Sequence, residues 1–409
     1  MAMKRYAELF RFPNVWVLVL SAFPARVAYG MVGLSIFFKV SSTESISVAG
    51  LALGLNAAAG SFTAGIRGSF MDRYGMKWPL RVMVPAYATM MITLNMSHDR
   101  NTMLILAFVM GLTAPPINLS VRPLWKEVIT EDWLRTAYAV DTAVMSTAGV
   151  IGPVLATTLS LSSHPGSALL TGALCMLVGG GSLAITKVAR GWKPEKQPEV
   201  KVPMWRHKPL QLLVIEGCFI GFGWGVFDVA VPAFAKIEGV AYRTAWILTA
   251  MGIANIIGGL LGGLVSKKVT PLGALRKTYF VWFIFSIPVV FTYPDWSMVI
   301  GAAALGLVGG AIQVFYWEVM EAVRPQGSPS GMMGWLWTIE GTLMSIGSAS
   351  GGWISDKYSP TIGLGISSIC IGIGFTILTL GRGRLAAANK LPTDEEDLAA
   401  MKDNATTTQ

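Results

Sequence analysis

Apolar runs of about twenty residues recur along the chain, and that is the length a helix needs to cross the hydrocarbon core of a bilayer. The segments expected to span are 14–38, 48–70, 80–97, 102–121, 138–160, 166–188, 210–235, 243–265, 277–293, 297–320, 332–354 and 360–381. Composition supports this reading. Only 13% of the 409 residues are charged while 53% are hydrophobic, and mean hydropathy is +0.55. Soluble domains carry about 25% charged residues. The pattern excludes a cytosolic, nuclear or secreted soluble enzyme and a disordered chain. The expected fold class is an all-α polytopic membrane protein with twelve transmembrane helices in two six-helix bundles. The opening Met1-Ala2-Met3-Lys4-Arg5 followed by an apolar run superficially looks like a signal peptide. The run is long enough to span and lacks a small-residue cleavage site, so it is read as the first helix.

Connections are short except for one polar stretch containing Pro194, Pro198, Pro203 and Pro209. That stretch divides the chain into a first bundle (1–189), a cytoplasmic linker (190–209) and a second bundle (210–382). Residues 383–409 carry Asp394-Glu395-Glu396-Asp397 and read as a solvated, disordered cytoplasmic tail. With the N-terminus inside, cytoplasmic ends and loops hold 26 of the 32 basic residues, the opposite side five, and the membrane interior one. That asymmetry predicts both termini in the cytoplasm of a cell-membrane protein. It also accounts for the net charge of +9 without a nucleic-acid partner.

Cys175, Cys218 and Cys370 are odd in number, far apart and inside apolar segments, so no disulfide framework follows. His98, His164 and His207 show no ligand spacing, and no metal site or cofactor is expected. No phosphate-cradling G-x-x-x-x-G-K-[ST] motif occurs, so ATP is not the expected energy source.

The two halves resemble each other. The run from Asp141 to Pro153 aligns with that from Glu340 to Gly352, and Gly68, Arg73 and Arg81 align with Gly263, Lys268 and Arg276. Each aligned pair of spans crosses in the same direction, so the repeat is parallel. After the second span, Gly68-Ser-Phe-Met-Asp72-Arg73-Tyr-Gly75-Met76-Lys77 resembles the signature G-x-x-x-D-R-x-G-R-[RK] of the major facilitator superfamily, with Met76 replacing an arginine. Gly149-x-x-Gly152-Pro153 in span five resembles the glycine-proline motif of that family's antiporter branch, though Ala148 and Ala156 stand where glycines are common. The run from Pro115-Pro116 through Arg122-Pro-Leu-Trp125 and Asp141 to Gly152-Pro153 is similar to a group of poorly characterised actinobacterial members, and the family's span-four intramembrane arginine is absent, Arg122 lying at that span's cytoplasmic end.

Ionisable residues inside a bilayer are costly and therefore functional candidates. Arg26, Asp141, Glu216, Asp228 and Glu340 are the candidates for substrate or proton coupling. Arg26 needs an acidic partner, and Glu216 and Glu340 are the expected ones. Glu216 and Asp228 are twelve residues apart on one helix and cannot face the same way. The resemblance implies a cavity lined by spans one, four, seven and ten. Tyr29, Trp224, Phe227, Gln313, Tyr316 and Trp337 are its expected lining. It also implies a cytoplasmic gate in which Asp72 meets the start of span eleven near Ser328, Ser330 and Gly331.

The expected function is a monomeric secondary active transporter that exports small organic solutes by alternating access, coupled to protons. A proton-coupled uptake symporter for a small, possibly anionic nutrient is the alternative. A membrane-embedded enzyme would need a nucleophile–base pair, metal set or catalytic carboxylate pair, and none is evident.

Overall fold

The computed structural model describes residues 8–162, 164, 166–192, 207–263, 269–323 and 331–386. Most of the expected linker, the expected tail beyond 386, and Ser328 and Ser330 lie outside them. The described residues form helices α1 (Val15–Ser41), α2 (Ile46–Tyr74), α3 (Lys77–Met96), α4 (Arg100–Thr113), α5 (Ile117–Val128), α6 (Glu131–Ser160) and α7 (Ser167–Ile185). A short α8 (Lys187–Gly191) precedes α9 (Lys208–Ile237), α10 (Arg243–Gly263), α11 (Pro271–Val289), α12 (Trp296–Val323), α13 (Gly331–Lys357) and α14 (Pro360–Leu380). There is no strand among the described residues.

Local chemistry explains where several helices begin. Side chains of Ser45, Asp99, Thr270 and Ser359 accept from backbone amides in the first turns of α2, α4, α11 and α14. Gly75 separates α2 from α3 with φ 72° and ψ 179°, a conformation open essentially only to glycine. The second glycine of the loop signature therefore has a backbone reason to be there.

One expected span is corrected. The segment 102–121 is not a continuous helix but two, α4 and α5, parted at Ala114-Pro115-Pro116. Two consecutive prolines remove two helix donors, and a residue preceding proline is pushed out of the helical region. Ala114 sits at φ −57° and ψ 116°, and Pro116 at φ −77° and ψ 55°. Single prolines at 24, 85, 123, 153, 232 and 288 stay inside their helices.

The chain divides into two compact units, Met1–Glu195 and Lys196–Gln409. Within the first, α1 packs on α6 and α7, α2 on α4, and α3 on α4 and α7. Within the second, α9 packs on α13 and α14, α10 on α12, and α11 on α12 and α14. These are the same pairings shifted by one half, so the internal repeat seen in sequence is also a repeat of packing. The second unit's core runs through Phe227, Phe234, Tyr279, Trp282, Met298 and Phe315.

Eight of the described helices are long and apolar enough to cross a membrane: α1, α2, α6, α7, α9, α10, α12 and α14. The 14 residues of α4 reach only about 21 Å at 1.5 Å per residue, because the break ends it early. Phe62, Val82, Leu174, Leu260 and Ile300 are each more than half exposed on helix surfaces. Such side chains facing outward suit a lipid solvent rather than water.

Candidate functional site

In the first unit the site begins at α1. Arg26 is buried, and its guanidinium donates to Asp141 Oδ1 on α6 at 2.7 Å and to the Asp141 carbonyl at 3.5 Å. The expected partner was Glu216 or Glu340; the structure instead neutralises Arg26 within its own unit. The reason is packing. Gly30, one turn above Arg26, lies against Gly152 of α6, where a Cβ on Gly152 would fall 2.5 Å from the Gly30 carbonyl carbon. Small residues let two membrane helices touch by their backbones. At that spacing the long Arg26 side chain, directed toward the helix start, reaches Asp141. This is the one ion pair among the described residues.

The break between α4 and α5 takes carbonyls out of the regular helical pattern. Pro115 keeps one main-chain donor, the Ile117 amide at 2.8 Å, and two side chains also reach the break. Tyr29 of α1 donates to the Pro115 carbonyl, and Arg67 of α2 donates to the Ala114 carbonyl. Arg67 also donates to the carbonyls of Gly60 and, at 3.3 Å, Thr63 on its own helix. Tyr87 of α3 stands beside the pair, its ring 6.0 Å from that of Tyr29. Arg67 is buried and has no carboxylate partner among the described residues.

In the second unit, Glu216 of α9 is wholly buried and accepts from the Tyr279 hydroxyl of α11. Tyr316 of α12 stands beside the same carboxyl, and Glu340 of α13 lies within electrostatic reach of it. Four helices thus contribute two carboxyls and two phenols, and no basic side chain among the described residues joins them. Gly221 makes room for this arrangement, since a Cβ there would meet the Glu340 carbonyl oxygen at 2.3 Å and its Cγ at 3.0 Å. Aromatic contacts lead away from the carboxyls. Tyr279 meets Trp282 at 5.7 Å between ring centroids, Trp282 meets Trp224 at 5.9 Å, and Trp224 meets Phe227 at 5.6 Å. Trp224, Phe227 and Trp282 line a small apolar cavity with Ile220, Ser367 and Cys370.

The remaining expected residues distribute as follows. Asp228 is half-buried and forms no ion pair among the described residues. Phe227 is packed into the unit's core, and Gln313 is exposed on α12. Trp337 lies on α13, but its side chain, like that of Asp72, is outside the described residues. Arg73 is exposed, its guanidinium 5.5 Å from the Tyr74 ring, and Lys77 approaches Trp78 at 5.4 Å. In the α6 motif, Gly152 is at a tight contact, Gly149 faces open space and Pro153 stays within the helix. Arg67 and Tyr279 were not singled out from sequence. A charge a few residues before the Asp72-Arg73 pair was readable only as one more positive residue on the cytoplasmic side, and a tyrosine in an apolar span carries no signal of its partner.

Comparison with known proteins places this geometry. The model of the Major Facilitator Superfamily matches residues 18–328. An uncharacterized MFS-type transporter, y4rN of Sinorhizobium fredii (strain NBRC 101917 / NGR234), is 22% identical over 335 residues, covering 76% of this chain and 80% of that protein. Among solved structures, the nucleoside transporter NupG superposes with a TM-score of 0.68 at 13% identity, over 90% of this chain and 98% of that one. A mutant form of NupG does so with a TM-score of 0.66 at 14% identity and the same coverage. A match of that breadth makes the chain a non-enzymatic transport protein of many membrane spans: it belongs to the major facilitator superfamily.

Proposed function

We propose that this chain is a proton-coupled secondary transporter of a small organic solute, working by alternating access as a monomer in the cell membrane. In this reading it has twelve spans, with α4 and α5 together forming the fourth, and both termini are cytoplasmic. The observation that carries the proton is the cluster of Glu216, Tyr279, Tyr316 and Glu340. Two carboxyls with no base beside them among the described residues cannot both keep a negative charge cheaply in a low-dielectric interior. Protonation removes that charge, and a carboxyl that gains and loses a proton as the transporter cycles couples proton flow to substrate movement. Tyr279 and Tyr316 orient the carboxyl without supplying a competing positive charge. Arg26 has no part in that exchange, because Asp141 already balances it.

Export is the direction we favour, on the likeness of Gly149-x-x-Gly152-Pro153 to the antiporter motif. Asp72 serves as the cytoplasmic gate, with its negative charge at the amino end of α13. Asp72→Asn should slow transport several-fold in a normally folded protein, and unchanged turnover would remove the gate. A second reading, uptake of an anionic nutrient, draws on Arg67, a buried cation without a carboxylate partner among the described residues. The deciding experiment is accumulation of a labelled solute panel by proteoliposomes under an imposed pH gradient. The panel should include nucleosides, since NupG is a nucleoside transporter. Gradient-dependent flux of at least one solute supports the reading. Flux of a panel solute that ignores both the gradient and a protonophore would overturn it.

A further inference from the structure

We propose that Arg67, with the hydroxyl of Tyr87, recognises the carboxylate or phosphate of a solute-sized anion, a subsite that rests on the transporter reading above. The argument starts from what the break in the fourth span requires. Neutral donors suffice there: the Pro115 carbonyl accepts from the Ile117 amide at 2.8 Å and from the Tyr29 hydroxyl. An arginine on Ala114 brings a full positive charge that carbonyl dipoles only partly offset. The other deeply buried arginine among the described residues shows what full compensation looks like, since Arg26 has Asp141 at 2.7 Å. Arg67 has no such partner among the described residues.

The guanidinium also keeps donor capacity. It carries five N–H groups, and three of its bonds, to Gly60, Thr63 and Ala114, all end on main-chain oxygens. Two N–H groups remain, one on each terminal nitrogen, in the planar fork that suits a carboxylate or phosphate. Tyr87 adds a hydroxyl to the same neighbourhood, while the Tyr29 proton is committed to Pro115. A broken helix inside a membrane bundle is also where irregular backbone is tolerated when it lines a cavity, and such breaks recur at transporter binding sites. A charge-assisted bond to an anion is stronger than one to a neutral carbonyl. An arriving anion would therefore draw Arg67 from Ala114 and loosen the break between α4 and α5, which joins recognition to movement.

The test needs no transport. Purified protein in a neutral, phospholipid-free detergent is melted with benzoate, succinate or inorganic phosphate, against sodium chloride at matched ionic strength. At least one of these anions should raise Tm saturably in the wild type. Arg67→Gln should abolish the response, and Arg67→Lys, which keeps the charge but loses the fork, should weaken half-saturation roughly tenfold. Three results overturn the proposal: no anion exceeds chloride, Arg67→Gln responds like the wild type, or only added phosphatidylglycerol stabilises, which would make the ligand a lipid headgroup. If Arg67→Gln does not fold, an unchanged half-saturation in Arg67→Lys overturns it equally. Failure here leaves proton coupling at Glu216 untouched, and stabilisation without gradient-driven flux leaves the anion subsite standing alone.

Discussion

Arg26 and Asp141 form a buried ion pair at 2.7 Å in the first unit, while Glu340, the repeat counterpart of Asp141 in the second, lies against Gly221. The offset, 340 − 141 = 199, is that of the aligned runs Asp141–Pro153 and Glu340–Gly352. Glu340 has no basic side chain beside it among the described residues and instead lies within electrostatic reach of Glu216. The two units share a packing plan and differ in charge: a balanced ion pair in one, two carboxyls with two phenols in the other.

The ion pair should behave as structure. Asp141→Asn leaves a buried guanidinium unpaired and is expected to cost about 3–5 kcal/mol, read as a large fall in Tm of the purified protein. Arg26→Gln combined with Asp141→Asn removes both charges and should recover much of that loss. A single variant as stable as the wild type would show that water already compensates the charge.

The two glycines of the α6 motif should part company on substitution. A Cβ at Gly152 falls 2.5–2.9 Å from the backbone of Gly30, whereas one at Gly149 meets nothing within 4 Å. Gly152→Ala must push α1 and α6 apart, and overpacking of this kind costs about 1–3 kcal/mol. Gly149→Ala should fold at wild-type yield. Equal yields and equal melting temperatures for the two variants would remove close packing as the reason for Gly152.

Asp99 offers a test outside the membrane. Its carboxylate caps α4, accepting from the Thr102 backbone amide at 2.9 Å and the Thr102 hydroxyl at 2.8 Å, and these bonds hold its pKa below the usual carboxylate value. A group whose folded pKa is lowered adds stability above its unfolded value, about 3.9 for aspartate, and loses it as pH falls through the folded value. The Tm difference between wild type and Asp99→Ala should therefore be constant from neutrality down to about pH 4 and shrink below it. A difference that grows on acidification would contradict the cap.

Much of the fold was legible because a bilayer fixes helix length and the repeat fixes pairing. The fourth span misled because hydropathy averages across Pro115-Pro116, while the backbone responds to the two missing amides one residue at a time. Candidate acids were legible by their cost in an apolar span, and Glu216, Glu340 and Asp141 all prove to be in polar contacts or clusters. Their partners were not, since Arg26 chose Asp141 through the close approach of Gly30 and Gly152, a three-dimensional fact. Arg67 escaped for the opposite reason. Its position one residue before Gly68 looked cytoplasmic, yet a long side chain directed toward the start of α2 carries its charge inward to the break.

Coupling at Glu216 is tested most directly by comparing wild type and Glu216→Gln in proteoliposomes loaded with a transported solute, under an imposed pH gradient and then with none. The wild type should move solute against its concentration gradient and lose that ability with a protonophore. Glu216→Gln should catalyse only downhill exchange, at a rate unaffected by pH. If the variant still drives uphill movement with wild-type pH dependence, Glu216 is a structural carboxyl and the proton travels elsewhere.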